Sequence, residues 1–141
     1  MEVKFYQINE ITDVALRYAV IAAKYMGKWV WVKNKKRKTW EIPGGHRETN
    51  EDIHETAKRE LYEETGAIDF NLSQICVYSV KKELENESFG MLFYAEVKKL
   101  DILPENEIER IALFDDVPED LSFPEIQPKL LINVKKWIND E

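Results

Sequence analysis

The chain has 141 residues, 44% of them hydrophobic and 33% charged, a balance that fits one globular domain spanning 1–141 and excludes a disordered chain. Its net charge of −7 opposes contact with nucleic acid backbones and anionic membranes, and its single cysteine, Cys76, excludes an intrachain disulfide and argues against a cysteine-based zinc site. No basic segment followed by an apolar run opens the chain, and no apolar run approaches the ~20 residues that span a bilayer; a reducing, cytoplasmic location is expected.

In chain order, Val3–Ile8 alternates weakly and reads as a strand, and Leu16–Ala23 reads as a buried one. Lys28–Val32 is aromatic and β-branched; with Gly27 before it and a basic turn after it, a hairpin is expected. The basic run Lys33-Asn34-Lys35-Lys36-Arg37-Lys38 reads either as a solvated loop or as a phosphate-attracting rim. Trp29, Trp31 and Trp40 read as core or sheet-face residues, with base stacking by one of them as the alternative. A helix is predicted over Ile53–Thr65, with Asp52 and Glu55 as a capping box, Gly66 at the C′ position, and Ile53, Ala57 and Leu61 as the packing stripe. Gln74–Val80 and Met91–Val97 read as strands around a polar hairpin loop, Lys82–Ser88, and Ile111–Phe114 is strand-like. Pro118, Pro124 and Pro128 mark a loop region before an amphipathic helix over Lys129–Ile138. Strands around one central and one terminal helix predict an α/β fold with a mixed sheet.

Glu60, Glu63 and Glu64 stand at i,i+3 and i,i+4 spacing. At about 100° per residue, Glu64 lies about 40° from Glu60, and Glu63 about 60° to the other side. Three carboxylates on one face near a helix C-terminus repel each other and oppose the macrodipole. A solvated acidic face is the ordinary explanation of such a cluster; a hard divalent cation held by oxygen ligands is the other. The wider pattern favours the cation. Gly45, Glu51, Arg59, Glu60, Glu63, Glu64 and Gly66 fit G-x5-E-x7-R-E-U-x-E-E-x-G-U, where U is a bulky aliphatic residue. At typical residue frequencies that match arises by chance about once per million chains of this length.

This pattern resembles the signature of the Nudix hydrolase superfamily. Two positions depart from it: Ala67 replaces the last bulky aliphatic, and Asn50 stands where Gly is usual, a residue that tolerates left-handed backbone. Trp40-Glu41-Ile42-Pro43-Gly44-Gly45 resembles the lead-in of MutT-type nucleoside triphosphate pyrophosphohydrolases, and Leu113–Leu121 resembles a stretch near the end of that fold. The resemblance implies an α/β/α sandwich with a loop-helix-loop box. It also implies Mg²⁺ (Mn²⁺ as the alternative) held by Glu60, Glu64 and the Gly45 carbonyl. Glu63 would bind metal or order the attacking water, Arg59 would orient Glu60, and Glu51 would brace the loop. A distal carboxylate is expected at Glu107, with Glu109 as its rival. His46, His54 and Cys76 read as structural residues.

The implied reaction is hydrolysis of a nucleoside diphosphate derivative: a canonical or oxidised nucleoside triphosphate, of the 8-oxo-dGTP kind, to monophosphate and pyrophosphate. By the same resemblance, ADP-ribose hydrolases carry a Pro where this chain has Glu83, and dinucleoside polyphosphate hydrolases a Tyr nearby; Glu83–Glu85 contains neither, which argues against both substrates. An RNA 5′-pyrophosphohydrolase and a non-catalytic nucleotide-binding module are the alternatives. The expected partner is a small nucleotide, not a membrane, and nucleic acid only as an RNA 5′ end. Base recognition has no assigned residue; Phe123 or a tryptophan could stack.

Overall fold

A computed structural model describes residues 1–139. Its strands are β1 (Glu2–Tyr6), β2 (Leu16–Tyr25), β3 (Lys28–Asn34), β4 (Trp40–Glu41), β5 (Gly44–His46), β6 (Ala67–Lys81), β7 (Ser88–Leu100) and β8 (Ile108–Phe114); its helices are α1 (Ile53–Thr65) and α2 (Gln127–Asn139). The main sheet runs β1-β6-β7-β2-β3-β4. β2 and β7 are parallel, and the other pairs are antiparallel.

The buried run of β2 is explained by its two faces. Ala19, Ile21 and Ala23 join the core beneath α1, where Ile53, Ala57 and Leu61 pack. Val20 and Ala22 join the opposite core with Trp29, Trp31 and the α2 residues Leu130, Leu131 and Val134. A strand covered on both sides shows a continuous apolar run instead of alternation. The expected mixed sheet between two helical layers is therefore what forms.

β2 matters most to the site because its antiparallel partner changes along its length. Ala23–Tyr25 pair with β3, whereas Tyr18–Val20 pair with β5, so Gly44, Gly45 and His46 enter the sheet where β3 leaves it. The two short strands β4 and β5 have no periodicity of their own and were not anticipated.

Several boundaries differ from the sequence reading. β1 stops at Tyr6, because Ile8–Glu10 forms a 3-10 turn. β6 and β7 extend well beyond Gln74–Val80 and Met91–Val97. Register shifts between Ala67 and Asp69, Asp69 and Phe70, and Gln74 and Cys76 break the alternation that would have revealed their length. β8 begins at Ile108 instead of Ile111, and α2 begins at Gln127 instead of Lys129. The α1 prediction matches residue for residue, with Glu55 N donating to Asp52 Oδ1 at 2.8 Å and Gly66 left-handed at φ 79°. Among the described residues no helix is long and apolar enough to cross a membrane.

Candidate active site

The site forms where the β5 loop lies across the last turns of α1. Asp52 starts the helix, and its phase then turns Leu61 into the core while Glu60 and Glu64 point toward Gly44 and Gly45. Glu60 and Glu64 are 9% and 6% exposed, rare burial for carboxylates. A Cβ built on Gly45 would overlap the Glu60 carboxyl group, so any larger residue there would displace that carboxylate. Gly44 N donates to Glu64 Oε1 at 3.0 Å.

Arg59 organises the rest. Its Nε and Nη2 donate to Glu51 Oε2 and Oε1 at 2.7 and 3.1 Å, and its Nη1 donates to Glu60 Oε1 at 2.6 Å. Nη2 also reaches the His46 carbonyl at 3.0 Å, which ties the helix to β5. Glu48 lies 3.1 Å from Nε, an ion pair that the sequence reading missed because Glu48 is no fixed position of the motif. Glu63 is only 3.5 Å from Nη1, and its side chain is 45% exposed. Thr56 Oγ1 donates to Glu51 Oε1 at 2.7 Å, and Asn50 adopts φ 66° at the turn that brings Glu51 back to the helix.

The electrostatics follow from these contacts. Hydrogen bonds from Arg59 hold the Glu51 carboxyl down to about 2, and the bond to Glu51 in turn raises the Arg59 guanidinium above its ordinary range. Burial pushes Glu60 upward against the pull of Arg59, with Glu63 and Glu107 adding like charge. Burial pushes Glu64 up to about 8, opposed by the Gly44 N–H and reinforced by Glu60, Glu41 and Glu107.

Glu60, Glu63 and Glu64 border a cleft of about 920 Å³. Glu107 lines it, and its side chain pairs with no cation among the described residues. Glu109 does not line it; it pairs with Lys38 at 2.5 Å. Among the described residues no three His, Cys, Asp or Glu side chains are already gathered at metal-binding distance. Glu60 is drawn to Arg59, and Glu64 to the Gly44 N–H.

The basic run divides. Arg37 lines the cleft, with its guanidinium 5.0 Å over the Phe123 ring and its Nη1 donating to Glu41 Oε2 at 3.2 Å; Lys38 is occupied by Glu109. Trp29 and Trp31 are core residues, while the Lys33 ammonium and Arg110 guanidinium lie 5.8 and 5.0 Å from the Trp40 ring. Phe123 lies in the cleft lining, as do Gln127 and Glu41, neither of which carried a sequence signal for a binding role. The His54 ring packs edge-on against Phe93, and the His46 ring against Tyr18. Burial lifts the Cys76 thiol to about 11, far from nucleophilic range at neutral pH.

The family model for the NUDIX domain matches residues 15–133. YtkD of Bacillus subtilis, which carries the provisional name 8-oxo-dGTP diphosphatase, is 31% identical over 107 residues, covering 75% of this chain and 66% of the relative, just under two thirds of that protein's length. The crystal structure of the Bacillus subtilis pyrophosphohydrolase BsRppH superposes with a TM-score of 0.82 at 25% identity, over 98% of this chain and 90% of that one. The NUDIX domain of Shewanella oneidensis NrtR, solved with ADP-ribose, shares the fold at a TM-score of 0.68 and 16% identity, over 87% of this chain and 88% of that one.

Proposed function

The chain belongs to the Nudix hydrolase family, and from that premise we propose that it is a Mg²⁺-dependent pyrophosphohydrolase that converts a canonical or oxidised nucleoside triphosphate to its monophosphate and pyrophosphate. The observation that carries the proposal is the pair of buried glutamates, Glu60 and Glu64, at the edge of a cleft large enough for a nucleotide. The 8-oxo-dGTP name of the YtkD relative supports the substrate class.

The donor set fits a hard divalent cation. Glu60, Glu63, Glu64 and Glu107 and the backbone of Gly45 all line the cleft and offer oxygen alone, and burial raises both Glu60 and Glu64, as expected of carboxylates whose charge lacks a full counterion. When bound, the cation supplies charge neutralisation of the polyphosphate. The chain's own residues do the rest. Glu51 and Arg59 fix the Glu60 carboxylate, and Gly44 fixes that of Glu64. Glu107, which has no ion-pair partner among the described residues, or Glu63, which Arg59 meets only at 3.5 Å, accepts a proton from the attacking water. The water oxygen bonds to the α-phosphorus while the bond to the leaving pyrophosphate breaks, in line.

A second reading, removal of pyrophosphate from an RNA 5′ end, is favoured by Arg37 and Lys82, which bring cationic charge to the cleft lining of an acidic protein. One panel tests both. Canonical and oxidised triphosphates, ADP-ribose and 5′-triphosphorylated RNA are incubated with Mg²⁺ or EDTA, with phosphate and pyrophosphate measured separately and Glu64→Gln as control. Metal-dependent pyrophosphate release from free nucleotides, lost in Glu64→Gln, is expected. Release from RNA alone establishes the second reading, and no release from any substrate overturns both.

A further inference from the structure

Residues 101–107 join β7 to β8 and form neither helix nor strand. They end on Glu107, which lines the cleft and adds like charge to Glu60 and Glu64. A carboxylate carried by an irregular connection keeps a fixed place only if that connection is fastened to something rigid.

The C-terminal end of α1 supplies the anchor. The last carbonyls of a helix have no partner within it. The Gly66 N–H donates to the Tyr62 carbonyl at 2.8 Å, but the next N–H, that of Ala67, turns to Thr65 Oγ1 at 3.1 Å. The Glu63 carbonyl is thereby left for another donor, and Asn106 Nδ2 donates to it. The other end of the same amide is also used, as the Ile108 N–H donates to Asn106 Oδ1 at 2.7 Å. Both bonds require the same orientation of the amide, since a carbonyl only accepts and an N–H only donates. The Lys35 N–H donates to the Glu107 carbonyl at 2.8 Å, and the Asp101 N–H secures the far end of the connection on the Gly66 carbonyl at 2.8 Å. The main chain of Glu107 is gripped from α1 on one side and from the β3–β4 loop on the other.

We infer that Asn106 is a positioning residue for the hydrolysis: its amide ties the main chain of Glu107 to that of Glu63 and so fixes the distal carboxylate against those of α1. This rests on the hydrolase reading above and adds to it the residue that places Glu107. The tie joins two backbones, so it serves whichever of Glu107 and Glu63 takes the proton. A misplacement of about 1 Å at a reacting group can cost about 100-fold in rate.

The test is Asn106→Ser in a double-mutant cycle with Glu107→Gln. Serine keeps a hydroxyl that accepts from the Ile108 N–H in the same tight turn, but it is too short to reach the Glu63 carbonyl. It removes the tie to α1 and spares the local turn. Rates are measured on the triphosphate that the wild type turns over best. Asn106→Ser is expected to lower kcat about tenfold or more with KM little changed. In the Glu107→Gln background the same substitution should cost less than about twofold, because the group it places is already lost. Losses that multiply, a rise in KM at unchanged kcat, or full activity in Glu107→Gln overturn the inference and leave the hydrolase reading intact. Amide hydrogen exchange of the metal-free protein is the second readout. The Lys35 N–H, bonded to the Glu107 carbonyl, should exchange faster in Asn106→Ser, while the Leu61 N–H within α1 stays protected. Unchanged exchange at Lys35 shows that Glu107 is held without Asn106 and also overturns the inference. If the wild type turns over no nucleotide, the hydrolase reading fails and the positioning role fails with it. If Asn106→Ser does not fold, Asn106→Asp, which has the same shape and no donor, takes its place in the cycle.

Discussion

Arg59 grips Glu51 with two nitrogens, Nε to Oε2 at 2.7 Å and Nη2 to Oε1 at 3.1 Å, while its remaining Nη1 holds Glu60 at 2.6 Å. One planar guanidinium thus fixes the loop before α1 and a cleft carboxylate on α1 in a single geometry. The two glutamates respond in opposite ways: Glu51 is held down to about 2, whereas burial outweighs Arg59 at Glu60 and leaves it raised.

Arg59→Lys keeps the charge but cannot span both partners. We expect kcat/KM to fall by about 10- to 100-fold, the usual range for residues that orient a metal ligand. The melting temperature should fall less in Arg59→Lys than in Arg59→Ala, which leaves two carboxylates without their cation. Equal activity in Arg59→Lys and wild type would show that the fork geometry is dispensable.

Gly44 and Gly45 should separate stability from activity. A Cβ at Gly44 would meet the Ala19 backbone oxygen at 2.5 Å, whereas one at Gly45 would meet only the end of the Glu60 side chain. Gly44→Ala should lower the melting temperature clearly. Gly45→Ala should displace Glu60 and abolish most activity with a smaller thermal shift. Thermal melts alongside initial rates distinguish the two.

Glu64→Gln should leave the metal-free protein at least as stable as wild type above pH 8 and inactive at any pH. Glutamine still offers an oxygen to the Gly44 N–H, and it removes a charge that burial opposes. Loss of stability together with activity would mean that the carboxylate also has a structural role.

The pH dependence has two limbs with opposite sign. Glu64 has a folded pKa of about 8 against an ordinary value of 4.5, so its contribution is complete below 4.5 and is lost as the pH rises through about 8. Glu51 has a folded pKa of about 2, so its contribution is present above 4.5 and is lost as the pH falls through about 2. Metal-free wild type should therefore lose melting temperature relative to Glu64→Gln between pH 5 and 9, on the order of the same window, and added Mg²⁺ should narrow that gap.

Sequence alone determined the parts governed by local rules. The α1 boundaries follow from Asp52, Glu55 and Gly66, since caps act within one turn, and helical phase places Glu60 and Glu64 together. The motif spacing identified the family, since seven positions over one loop and one helix are a local pattern. Tertiary structure decided the rest. Register shifts hid the length of β6 and β7, and β5 has no periodicity, existing only because β2 offers it an edge. Glu107 and Glu109 are two residues apart and equivalent in sequence. Only the pairing of β8 with β3, beside the loop that carries Lys38, gives Glu109 a lysine partner and leaves Glu107 in the cleft.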